Sequence, residues 1–242
     1  MDIQMEEKSY YHKNKEFIGC LTFDKDVDKK RPGILVFPEW WGLNEYIQKR
    51  TKFLAELGYV AFGVDVYGGG EKTNSPDEAA SLMKSVIGDK NTVMDRVNLA
   101  HKFLLNCSIC DHKKICAIGY CFGGALVLNM ARFGINLKAV VSFHGALDPI
   151  HLAIPGQIKA KVLVCHGAED KLISQESIEK FKSEMNFAKA NYEFITYEGA
   201  QHGFSNTGSD EKGKKFDLPL AYNENADKKS WEAMKKLFEE VL

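Results

Sequence analysis

The sequence predicts an α/β protein with a mainly parallel central sheet, helices on both faces and an antiparallel hairpin at the N-terminal edge. Three observations predict it. Runs of strand length recur at residues 32–37, 59–66, 114–118, 137–143, 160–167 and 192–197, and those at 32–37 and 59–66 have the apolar pattern of strands buried on both faces. Stretches of helical spacing fall between many of them, which implies crossover connections and a parallel sheet. The residues with chemical potential cluster just after the strand runs, where ligands of such sheets bind.

The elements follow in order. Ser9-Tyr10-Tyr11 and residues 17–23 flank the polar Lys13-Asn14-Lys15 and read as the edge hairpin. A charged loop, 24–31, leads to the first buried strand. Residues 45–57 have helical spacing and stop at Gly58, a fitting C-cap. After the strand at 59–66, Gly68-Gly69-Gly70 opens a loop. A helix over 76–87 is capped by Ser75 with Pro76 at its first position. A second helix covers 91–105. A strand over 114–118 runs into Gly119-Tyr120-Cys121-Phe122-Gly123-Gly124 and a helix through Arg132. Strands at 137–143 and 160–167, a helix at 175–185 and a strand at 192–197 come next. A polar loop over 205–217 and a terminal helix over about 220–240 close the chain, which reads as one domain over 1–242.

Composition excludes several classes. The chain has 242 residues, 45% of them hydrophobic, and a formal net charge of -1. That supports a sizeable core and gives no reason to expect nucleic acid or an anionic membrane as partner. The first residues are polar and acidic, unlike a secretory signal, and no apolar run reaches membrane-spanning length. A cytoplasmic protein with reduced cysteines is expected, as a monomer or weak homodimer. Cys107-Ser108-Ile109-Cys110, with His112 and Cys116, has spacing that zinc or a redox pair could use. Cys116 falls inside a strand run, so a core role is the better reading, and neither metal nor cofactor is expected.

Gly119-Tyr120-Cys121-Phe122-Gly123 is the nucleophile-elbow pattern with cysteine in place of serine. A nucleophile on so tight a strand-to-helix turn sits in strained backbone, and bulky neighbours would collide with adjacent elements. A catalytic thiol needs a base, and the base needs an orienting acid. The chain supplies Asp170 after one later strand and His202 after the last. Nucleophile, acid, histidine is the chain order of the α/β-hydrolase fold. Glu169 is the rival to Asp170. Of the other histidines, His144 is read as lining the cleft and His166 as a packed residue. Trp41, Tyr67 and Phe204 are the further cleft-lining candidates.

Taken together, these segments resemble the dienelactone hydrolase (carboxymethylenebutenolidase-like) family, α/β hydrolases with cysteine at the elbow. Gly119 to Gly124 matches its elbow. Residues 38–44, Pro-Glu-Trp-Trp-Gly-Leu-Asn, match its glutamate-bearing loop, and residues 166–170 and 199–204 its acid and histidine segments. The resemblance spans roughly residue 17 to the C-terminus. It implies hydrolysis of a small-molecule ester or lactone through Cys121, His202 and Asp170 with an acyl-thioester intermediate. It also implies that Glu39 interacts with Cys121 and helps generate thiolate, and that the backbone N–H groups of Phe122 and Trp40 form the oxyanion hole. A general carboxylesterase or thioesterase, or a non-catalytic relative that binds small molecules, are the alternatives.

One departure stands out. The family holds a substrate carboxylate with arginines, one of them shortly after the catalytic histidine. This chain has Ser205-Asn206 there and no arginine after Arg132. Lysine does not readily replace bidentate arginine recognition, although Lys72 or Lys84 could add a point charge. The original dienelactone is therefore not the expected substrate.

Overall fold

The structure, a computed structural model, describes residues 1–242. It contains eight strands and seven helices: β1 (Ile3–His12), β2 (Lys15–Asp24), β3 (Arg31–Phe37), α1 (Glu45–Glu56), β4 (Val60–Gly63), α2 (Pro76–Ile87), α3 (Lys90–Leu105), β5 (Cys110–Tyr120), α4 (Phe122–Arg132), β6 (Ala139–Phe143), β7 (Lys161–Gly167), α5 (Gln175–Phe187), β8 (Tyr192–Tyr197), α6 (Ser209–Phe216) and α7 (Glu224–Val241). The chain forms two compact units, Met1–Ile118 and Gly119–Leu242.

In the first unit β1 and β2 form the expected hairpin, in register from Ile3↔Asp24 to His12↔Lys15. The hairpin is longer than its apolar residues suggest. An edge strand needs only one apolar face, so the alternating charged residues of β1 are compatible with strand. β2 pairs antiparallel with β4, and β4 pairs parallel with β3. Ile34, Leu35, Val36 and Phe37 are all fully buried, as a strand covered on both faces demands. Two consecutive residues of β4 show the two layers. Phe62 stacks on Phe103 of α3, with centroids 4.0 Å apart. A Cβ on Gly63 would instead meet Thr51 of α1. Helix α1 starts where the Asn44 side chain accepts the Ile47 N–H, and Gly58 follows its end at φ +91°.

The strand expected over 59–66 stops at Gly63, because the backbone beyond it turns to serve the Asp65 side chain. That carboxylate accepts the N–H groups of Tyr67 at 2.9 Å, Gly68 at 2.8 Å and Gly70 at 2.8 Å, and of Ile18 at 3.0 Å.

In the second unit β6, β7 and β8 run parallel, from Ala139↔Lys161 and Val162↔Tyr192. α4 packs on β6, and α7 on β6 and β7. The segment expected as a polar loop over 205–217 holds a helix instead, α6. It has almost no apolar stripe, and its buried residues are Ser209 and Gly213. Its support is electrostatic: Asp210 and Glu211 lie in the first turn, and Lys214 and Lys215 in the last. The terminal helix begins later than expected, at Glu224, because the Asn223 side chain caps it by accepting the Ala226 N–H. No helix is long and apolar enough to cross a membrane.

Candidate active site

Cys121 sits between the last residue of β5 and the first of α4, at φ 52° and ψ −112°. A non-glycine residue held there stores about 1–3 kcal/mol of strain, and the surroundings hold it firmly. The Cys121 N–H donates to the Phe143 carbonyl at 3.0 Å, and the Cys121 carbonyl accepts the Ala125 N–H at 3.2 Å. Tyr120, before it, is stacked on Phe143 with centroids 4.9 Å apart. The flanking glycines are steric necessities. A Cβ on Gly119 would lie 2.0 Å from the Gly123 carbonyl oxygen, and one on Gly124 would lie 2.8 Å from the Gly145 Cα. α4 begins at Phe122, so the positive end of its dipole is at Cys121 and favours negative charge there.

Asp170 follows β7 in a tight turn, its N–H on the Gly167 carbonyl. Its side chain is fully buried. Oδ1 accepts the Leu172 N–H at 2.9 Å, and Oδ2 accepts Nδ1–H of His202 at 2.8 Å. Neighbouring Glu169 is exposed and takes no part.

His202 lies in the loop after β8, between Gln201 and Gly203, the latter at φ +74°. Burial opposes protonation of its ring. The electrostatic influence of Cys121 and the hydrogen bond to Asp170 outweigh burial and raise its proton affinity to about pH 10. Its Nδ1 is occupied by Asp170, which leaves Nε2 as the nitrogen open to a further partner. The structure brings Asp170 and His202 into contact, and Cys121 lies in the same unit.

The other predicted residues of this unit are buried. His144, at φ 42°, follows β6 and shares a 2.7 Å hydrogen bond between Nε2 and Ser205 Oγ. Its ring meets His202 edge to face at 5.3 Å and Phe204 at 5.1 Å. Phe204 is fully buried. His166 packs against Phe194 at 5.6 Å, and burial lowers its proton affinity. The polar contact of Ser205 was missed by sequence reasoning. Its position in the histidine loop was the available signal, but nothing local says that a strand end will meet it.

The first unit holds Glu39, Trp40, Trp41 and Tyr67. Glu39 and Trp41 are buried. The indoles of Trp40 and Trp41 meet at 4.9 Å and 61°. Tyr67 is buried too, and its hydroxyl donates to the Trp40 carbonyl at 2.8 Å. The Thr73 N–H donates to the Trp41 carbonyl at 3.0 Å, and the Gly42 N–H to the Glu39 carbonyl at 3.1 Å. The glutamate loop is therefore tied to the segment after β4 by its backbone. Cys110 of the CxxC pair is buried, as is Cys116, and burial pushes the Cys110 thiol up to about 12.

A buried carboxylate bonded to a histidine after strand ends suits a hydrolase, and comparison with known proteins names the family. Residues 18–242 match the dienelactone hydrolase family, and the chain belongs to it. It is similar to the solved structure of m3DLH, at 34% identity and a TM-score of 0.94 over all of both chains. It is also similar to the dienelactone hydrolase-like promiscuous phosphotriesterase P91 from metagenomic libraries, at 32% identity and a TM-score of 0.92, covering 100% of this chain and 99% of that one. A Yersinia pestis protein named "Putative carboxymethylenebutenolidase" is 28% identical over 187 residues, 72% of this chain and 68% of its own length. An α/β hydrolase from a deep-sea metagenome shares the fold at 18% identity and a TM-score of 0.69, over 97% of this chain and 98% of its own. The chain is accordingly an α/β hydrolase acting on small molecules.

Proposed function

We propose that the protein hydrolyses an uncharged carboxylic ester or lactone through Cys121, His202 and Asp170, by way of an acyl-thioester. The observation that carries this reading is the 2.8 Å Asp170–His202 contact on an imidazole whose proton affinity Cys121 raises. Asp170 fixes the tautomer and steadies the imidazolium. His202 holds the proton of Cys121, and the thiolate attacks the carbonyl carbon. The oxyanion is received by the Phe122 N–H at the head of α4 and, as the family resemblance implies, by the Trp40 N–H. Imidazolium protonates the leaving alcohol as the carbon–oxygen bond breaks. His202 then takes a proton from water, which attacks the thioester and returns Cys121. In the family the counterpart of Glu39 assists thiolate formation, and we assign Glu39 that role. Trp41, Tyr67 and Phe204 are proposed to shape the substrate cleft, whereas His144, also read from the sequence as a cleft residue, is fully buried and bonded to Ser205.

One feature of the second unit argues for an uncharged substrate. Arg132 is the sole arginine of the second unit, and it is held by Glu184. This also favours a general carboxylesterase as the second reading. Purified Cys121→Ala is the test: it should lose turnover of activated aryl esters and accumulate no acyl-enzyme. Unchanged hydrolysis would sink the proposal, and a panel of lactones against linear esters separates the two readings.

A further inference from the structure

We propose that His144 is a positioning residue for His202, clamped through Ser205, and that the end of β6 is the common reference for both nucleophile and base. The inference deepens the proposed function and rests on the triad reading. A single hydrogen bond, Nδ1–H to Asp170, anchors the catalytic ring. One hydrogen bond is a hinge: it fixes a point and leaves the ring free to tilt about it. Two proton transfers at Nε2 need the tilt fixed as well, since a displacement of about 1 Å can cost about 100-fold in rate.

The second support is His144. Its ring edge packs against His202 at 5.3 Å and 63°. Four restraints hold His144 itself. Its N–H donates to the Cys165 carbonyl at 2.8 Å. Its Nε2 meets Ser205 Oγ at 2.7 Å. Phe204 closes one edge of its ring, with the rings 81° apart, and the Tyr120 ring lies 6.1 Å away. The backbone is left-handed, at φ 42°. A β-carbon residue persists in that conformation when its surroundings over-determine it, which is typical of functional positions. His144 and Ser205 are both essentially inaccessible to solvent, so a substrate reaches neither without rearrangement.

The topology gives the pair its meaning. Ser205 lies three residues after His202, so its bond to His144 ties the histidine loop to the end of β6. Phe143, the residue before His144, accepts the Cys121 N–H. Consecutive residues of one strand end thus fix the nucleophile's backbone and the base's ring. The distance between them is set by a buried strand rather than by two independent loops.

The experiment uses Ser205→Ala and His144→Phe, singly and together, in the full chain. Ser205→Ala removes one atom and keeps every ring. His144→Phe keeps an aromatic edge and loses the polar clamp. Each should lower kcat for an aryl ester by about tenfold or more with KM within about twofold, and the double variant should be no worse than either single, because the pair acts as one unit. A second readout needs no substrate. The downfield Nδ1–H proton of His202 should be sharp by NMR in the wild type and exchange-broadened in Ser205→Ala. A sharp proton with unchanged kcat in Ser205→Ala overturns the proposal. Failure of the triad reading has a different signature, namely full activity in Cys121→Ala.

Discussion

Arg132 and Glu184 form a two-pronged ion pair sealed from solvent, with Nε–Oε1 at 3.0 Å and Nη2–Oε2 at 2.8 Å. Each partner is committed further. Arg132 Nη2 donates to the Leu147 carbonyl at 2.7 Å, and Glu184 Oε1 accepts the Ala153 N–H at 3.0 Å. The pair fastens α4 to α5 and to the segment after β6. Removing one partner strands a buried charge, so Glu184→Ala should destabilise the protein by about 3–5 kcal/mol. Denaturant unfolding at neutral pH measures it. A loss under about 1 kcal/mol would mean that water reaches the guanidinium.

The same pair bears on substrate choice. A guanidinium already bonded to carboxylate has no fork left for a substrate carboxylate. Charge-assisted hydrogen bonds are worth about 1.5–3 kcal/mol, so a chain without one forgoes roughly 10- to 100-fold in affinity for an acidic substrate. Neutral aryl esters should therefore exceed their carboxylated counterparts in kcat/KM. The reverse order would point to another cation, and Lys72→Ala and Lys84→Ala would locate it.

His202 gives a pH prediction with a definite sign. Its proton affinity is raised to about pH 10, against the pull of burial, largely by the influence of Cys121 and then by Asp170. In the proposed mechanism the protonated ring is the acid that serves the leaving alcohol, so that capacity persists below about pH 10 and is lost as pH rises through it. Cys121→Ser replaces the thiol group with a hydroxyl and removes the leading favourable contribution, while the burial that lowers the affinity stays. The ring should then titrate at lower pH. Its proton chemical shifts, followed against pH in both proteins, decide the matter: coincident curves would show that Cys121 does not act on the imidazole.

The elbow predicts a steric result. A methyl group on Gly119 would overlap the Gly123 carbonyl oxygen, a backbone atom with no rotamer to retreat into. Gly119→Ala should cost about 3 kcal/mol or more, seen as a lowered Tm and poor soluble yield. Gly69→Ala is the control, since a Cβ there would meet no atom within 4 Å. It carries only the cost of its positive φ, 66°, about 1 kcal/mol.

Much of this was legible in the sequence because local chemistry wrote it. Ser75-Pro76 fixed the start of α2, and the 192–197 run fixed β8. Gly119-x-Cys121-x-Gly123 announced a strand-to-helix turn, because such a turn admits few residue types. Asp170 and His202 were legible by their positions after strands. What was illegible depends on distant partners. Helix α6 has no periodic apolar stripe, so periodicity passed over it. β4 ends early because Asp65 draws four N–H groups to itself, and a lone aspartate after an apolar run does not disclose that. The His144–Ser205 contact joins residues from a strand end and a distant loop, and no spacing rule relates them.

The Asp65 carboxylate carries one more consequence. Three consecutive glycines after a strand ordinarily make a floppy segment that pays a large entropy toll each time it closes on a ligand. Here Tyr67, Gly68 and Gly70 share a single acceptor side chain, so their amides cannot open one at a time without leaving a buried carboxylate under-solvated. The segment should open as one cooperative unit, with its amides exchanging with deuterium at a common, slow rate. It behaves as masonry rather than as a hinged door. The Trp40 backbone that hangs from it through the Tyr67 hydroxyl inherits that stiffness and is in place before any substrate arrives.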